Sequence, residues 1–166
     1  MDYKKIEVRL RELEKIIENN RPDTDASQDA SDEIDNILFE NMTIKDFVFI
    51  GEHLNKKMTI EDQAKMVAAA AEGLPLTDAV AVSTAAEIAY LMRRARLAQN
   101  ISQTELAKSI GVTQGQIAKI ENAQANVSIE TLQRIATVLG ESFLIRPAVN
   151  MVAEFDEAVI VKSASA

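Results

Sequence analysis

Cysteine is absent from the 166 residues, and histidine occurs once, at His53. Without thiols there is no disulfide framework and no thiolate metal site, and one imidazole leaves no second for a zinc or di-metal cluster, so no metal is expected. Long apolar runs are also missing. The longest, MVAAAA from Met66 to Ala71, falls far short of the ~20 residues of a membrane helix, and the charged start MDYKKIEVR does not read as a signal peptide. A cytoplasmic protein without membrane contact is expected. The phosphate-cradling patterns GxxxxGKS, GxxxxGKT and GxGxxG do not occur, so no cofactor is expected either. His53 beside Glu52 on an amphipathic helix reads as surface, and the acids from Asp29 to Asp35 lack the glycine and spacing of a calcium loop. These absences point away from an enzyme.

What is present is enough apolar content, 47%, for a real core, and a formal net charge of -8. Phosphate binding rests on Lys and Arg, so the net charge at face value argues against nucleic acid. The distribution weakens that objection. Residues 1–85 hold 10 Lys and Arg against 18 Asp and Glu, whereas residues 86–166 hold 8 and 8. Within 91–134, six bases (Arg93, Arg94, Arg96, Lys108, Lys119, Arg134) face three acids (Glu105, Glu121, Glu130). An acidic half joined to a mildly basic module suggests two tasks with two partners.

Along the chain, Ile6, Leu10, Leu13 and Ile17 alternate steps of four and three, predicting an amphipathic helix over 1–20 whose stripe needs a partner. Residues 21–36 contain RPDTDASQDASDEID, with six acids and one base, and read as a mobile acidic linker. Residues 37–82 read as a helical N-terminal region. Thr43 with Asp46 and Thr59 with Asp62 open two short helices by the same cap chemistry, and Gly73 with Pro75 ends the second. Thr84 with Glu87 opens a further helix through Gln99, with a helical stretch at Thr77 to Val82 before it.

From Ser102 the punctuation becomes regular. Ser102 with Glu105 opens a helix that Gly111 closes, Thr113 with Gln116 opens the next, and Ser128 opens one that Gly140 closes. Only Val112 separates Gly111 from Thr113, so these two helices cross steeply rather than lie antiparallel. Leu106, Ala107 and Ile110, then Ile117 and Ile120, then Leu132, Ile135, Ala136 and Leu139 form the inward positions.

The strings SQTELAKSIGV, TQGQIAKIENA and SIETLQRIATVLG, with RRARLAQN as first helix, resemble the Cro/CI-type helix-turn-helix family of bacterial and phage repressors over roughly residues 86–146. The resemblance implies an all-α, lambda-repressor-like domain of four or five helices over 83–147, behind the helical N-terminal region. It further implies that the helix after the turn enters the major groove of double-stranded DNA while the start of the preceding helix meets phosphate. Carried over position by position, Gln103 contacts backbone phosphate. Thr113, Gln114, Gly115, Gln116 and Lys119 form the exposed start and outer face of the reading helix, and Asn122 meets phosphate. Gln114 and Gln116 are suited to bidentate pairing with adenine, and Lys119 to guanine or phosphate. Arg96 and Glu121 match a structural pair bracing the first helix against the reading helix. Arg93 and Arg94 are left for phosphate. Gly115 and Ala123 depart from the family pattern: the first has no side chain to read a base, and the second replaces the glycine usual after the reading helix.

After Gly140 the alternation around Phe143, Leu144 and Ile145 predicts a short strand at about 141–146 that needs a pairing partner, the simplest being its own copy across a two-fold axis. Residues 148–166 read as a tail. The expectation is a dimeric, sequence-specific DNA-binding regulator, a repressor acting at an operator, with a module that binds DNA without residues 1–80. The alternative is a type II antitoxin whose acidic N-terminal half covers a basic toxin and whose C-terminal half represses their operon. A third reading has residues 1–20 packing on the chain itself or on a second copy, with the acids serving solubility.

Overall fold

The structure is a computed structural model that describes residues 2–142. These form α1 (Tyr3–Asn19), α2 (Asp25–Phe39), α3 (Ile44–His53), α4 (Ile60–Ala71), a one-turn 3-10 helix (Leu76–Asp78), α5 (Thr84–Ala98), α6 (Gln103–Ile110), α7 (Gln114–Glu121) and α8 (Ile129–Leu139). The described residues contain no sheet, only an isolated antiparallel bridge between Leu54 and Val82. None of their helices is long and apolar enough to cross a membrane. The strand expected at 141–146, with Phe143, Leu144 and Ile145, lies outside the described residues save for its first two, and the expected tail lies wholly outside.

Side-chain caps set the helix starts. Asp2, Thr24, Thr43, Thr59, Ser83, Ser102, Thr113 and Ser128 each accept a backbone N–H from the first turn, satisfying donors that would otherwise be orphaned. The cap of α5 is Ser83, one residue before the expected Thr84, and its hydroxyl accepts the Ala86 N–H at 3.2 Å. The helical stretch expected at Thr77 to Val82 is instead the single turn Leu76–Asp78.

The acidic segment expected as a mobile linker is helix α2, packed on α1 and α4. Its buried positions explain the difference. Ser27, Ala30 and Leu38 are buried, and Ile34 packs against the same core. They recur at helical spacing, but two of them are too small to register as an apolar stripe. Small residues let the helix lie close to its neighbours. Across this contact the Arg9 guanidinium grips Glu33 with both nitrogens, Nε to Oε1 at 2.6 Å and Nη2 to Oε2 at 2.7 Å, and the Arg9 hydrogen bonds hold the Glu33 carboxyl below its ordinary range. The stripe of α1 is satisfied within the chain: Leu10 and Leu13 are buried between α2 and α4, each worth roughly 1.5–3 kcal/mol over exposure.

Two hydrophobic cores result, and α5 serves both. The first gathers Leu10, Phe49, Ile50, Met66 and Leu76 with Ala86, Ala89 and Tyr90 of α5. The second gathers Met92 of α5 with Leu106, Ile110, Ile117, Ile135 and Leu139. The boundary expected at residue 83 therefore falls at the cap of a helix that both halves share.

Candidate nucleic-acid interface

Helices α6 and α7 are joined by a turn whose geometry follows from Gly111. Its φ of +69° is left-handed, and with it the Val112 N–H bonds back to Ala107 O at 2.9 Å, which closes α6 in one residue. Thr113 then opens α7 with a capping box: its hydroxyl accepts the Gln116 N–H, and its own N–H donates to Gln116 Oε1 at 2.8 Å. Ile117 and Ile120 anchor the inner face of α7 in the second core. Thr113, Gln114, Gly115, Gln116 and Lys119 are exposed at its start and outer face, and Asn122 is exposed at its end. The first turn of α7 carries no acid, so no negative side chain in that turn opposes the positive end of the helix. Gly115 has open space where a side chain would stand.

Arg96 and Glu121 form a buried fork behind this surface. The Arg96 Nε donates to Glu121 Oε1 at 2.6 Å and Nη2 to Oε2 at 2.9 Å, while Nη1 donates to Ile101 O at 2.6 Å. Glu121 is 1% exposed and Arg96 7%. Gln103, at the first position of α6, donates from Nε2 to Glu121 Oε2 at 2.8 Å and accepts from Gln114 Nε2 at 2.7 Å. Gln103 and Gln114 are thus linked to each other and to the ion pair. Spacing alone does not show this linkage, since it joins residues 18 and 11 positions apart.

Three expected contacts are altered. Gln116 spends its carbonyl oxygen on Thr113, so only its NH2 faces outward and bidentate pairing with adenine would require opening the capping box. The Thr113 and Gln116 spacing that announced the helix already implied that commitment. Arg93 and Arg94, expected at phosphate, both have partners within the chain. Ala86, Ala89, Tyr90 and Arg93 share one stripe of α5, which places Arg93 on the first core. Its Nη2 donates to Asp46 Oδ1 of α3 at 2.6 Å, and its guanidinium lies 4.7 Å from the Phe49 ring centroid. Arg94 donates from Nη2 to the Gly73 carbonyl beyond α4. Both arginines fasten the first helix of the module to the N-terminal half.

Ala123, where the family has glycine, adopts φ +54°. The Gln124 N–H still reaches Lys119 O at 2.8 Å, so α7 ends with the hydrogen bond a glycine would permit, at the backbone cost of an L-residue in that region.

Residues 92–145, about a third of the chain, match the family model described as helix-turn-helix. Comparison with curated proteins and with solved structures returned no match. With its four helices, its tight Gly111 turn and this match, the segment is similar to the Cro/CI-type helix-turn-helix family, which supports a DNA-binding transcription regulator.

Proposed function

We propose that the protein is a dimeric repressor that places α7 in the major groove of an operator and α6 against its backbone. It is a binding protein of the cytoplasm and not an enzyme. The observation that carries this reading is the outer face of α7, where Gln114, Gly115, Gln116 and Lys119 stand exposed beside Gln103 with no acid in the first turn. Selection from a random DNA pool tests it. Two half-sites about one helical turn (~34 Å) apart are expected, since each copy of a dimer contributes one reading helix. Replacing Gln114 with alanine should remove discrimination at one base pair in each half-site and retain weak, salt-sensitive binding. An unchanged footprint would sink the groove assignment.

One observation favours the antitoxin alternative. Asp25, Asp29, Asp32 and Asp35 are exposed along α2, a negative stripe that suits a basic protein such as a toxin. The first helix does not add to this, because its apolar stripe is already covered by α2 and α4. Copurification from the native host with mass spectrometry separates the readings: a small basic protein in stoichiometric amount supports the antitoxin, and the regulator alone supports the repressor.

A further inference from the structure

A cavity of about 450 Å³ opens where α5 meets the N-terminal half, and no residue of α6, α7 or α8 lines it. Small-molecule sites run from roughly 300 to 1,000 Å³. Met42, Leu76 and Tyr90 form its buried floor, while Leu74 and Leu97 at its rim stay 46% and 57% exposed. Two leucines left in water beside an apolar hollow favour an occupant that covers them. One half-buried charge faces the same space. Arg94 donates from Nη2 to the carbonyl of Gly73, itself part of the lining, and its remaining N–H donors have no acceptor among the described residues. The two acids of the lining compete poorly for an occupant. Asp46 has spent Oδ1 on Arg93 and Oδ2 on the Thr43 hydroxyl. Glu40 is exposed, so water weakens its field more than that of Arg94.

We propose that this cavity is an effector site for a small amphipathic carboxylate, its apolar body on the leucines and its head on Arg94, and that occupancy shifts operator affinity. A planar guanidinium pairs with both oxygens of a carboxylate at once, which an amide or an amine cannot reproduce. A head placed there competes with the Gly73 carbonyl for Nη2, and that bond fastens α5 to the end of α4. The same helix carries the consequence towards DNA, because Arg96, two residues on, braces Glu121 of α7. Ligand and DNA therefore act on one helix, which is the condition for coupling between two sites. The coupling rests on α7 entering the major groove, whereas the site does not.

Calorimetric titration of the full chain with octanoate tests the site, with octanamide as the uncharged match and octylamine as the cationic one. Saturable binding of octanoate, roughly tenfold tighter than either match, is expected, the scale of one charge-assisted pair. Arg94→Met keeps the apolar stem and should bring octanoate down to the level of octanamide, while the exposed Gly73 carbonyl turns to water. Leu97→Glu alters an exposed residue and should abolish octanoate binding by setting a carboxylate at the mouth. Circular dichroism checks that both variants keep the wild-type helices. No saturable octanoate binding, equal binding of acid and amide, tighter binding of octylamine, or wild-type binding in both variants overturns the site. With an operator selected from the random pool, saturating octanoate should change wild-type affinity by about fivefold or more and leave that of Leu97→Glu unchanged. An unchanged wild-type affinity overturns the coupling alone. The titrations contain no DNA, so a protein that selects no operator overturns the groove assignment and the coupling, and the titrations still decide the site.

Discussion

Two glycines four residues apart show how much a single residue depends on its φ. Gly111 and Gly115 both have open space around a hypothetical Cβ, so alanine meets no steric clash at either. Only the backbone distinguishes them. Gly111 sits at φ +69°, where an L-residue costs about 1–2 kcal/mol, whereas Gly115 lies in the first turns of α7, where alanine is favoured by up to about 1 kcal/mol. Gly111→Ala should lower stability by ~1 kcal/mol or more and Gly115→Ala should raise it by about half that, read from urea midpoints. The sign of both was legible in the sequence, since one glycine follows a helix and the other falls inside one. The fate of Gln116 was legible too, for its place in the capping box already committed its oxygen. The contact of Gln103 with Glu121 was not, because no local rule relates two side chains on crossing helices.

At the scale of the element, what could be read depended on whether a helix advertises itself by large apolar residues. α6, α7 and α8 do so, with caps at both ends of α6 and α8 and at the start of α7, and their extents agree with the spacing. α2 buries a serine and an alanine where a leucine would have been noticed, and its many acids resemble the composition of a linker. Its stability comes from tertiary contact, as is usual for short helices. α4 is held at its start by Asp62, whose carboxylate accepts the Thr59 N–H at 3.0 Å and lies 2.9 Å from the Lys56 ammonium. Burial pushes this carboxyl up, but the Lys56 and Thr59 hydrogen bonds together hold it below its ordinary value. A depressed carboxylate stabilises the fold above its unfolded pKa, and that contribution is lost as pH falls through the lower folded value. Asp62→Ala should therefore cost about 1–2 kcal/mol at neutral pH, the scale of a lost cap. The gap to wild type should narrow below about pH 3.8, as denaturant titrations at both pH values would show.

At the scale of the molecule, α5 decides whether the two halves are separable. A boundary at residue 83 implied that the module would bind DNA without residues 1–80, yet α5 lends Ala86, Ala89 and Tyr90 to one core and Met92 to the other. Charge segregation along the chain is real, but it does not mark a seam in the packing, because a helix with two buried faces can belong to both sides of a composition boundary. Arg93 makes the join electrostatic as well: with side-chain exposures of 16% and 26%, Arg93 and Asp46 are shielded from water on both sides of the contact. Removing Asp46 strands a largely buried guanidinium, which costs about 1–3 kcal/mol as an unsatisfied polar group. If the halves fold as one unit, that loss must appear in both. Tyr3 and Tyr90, the only tyrosines of the chain, belong to or pack against the first core, so tyrosine fluorescence follows that half while far-UV circular dichroism follows all the helices. In Asp46→Ala the two transitions should move together to lower denaturant and remain coincident, the behaviour of a single cooperative unit. A fluorescence transition that shifts while a second helical transition stays in place would show that the reading module folds independently and that α5 is a hinge between two bodies rather than a spine through one.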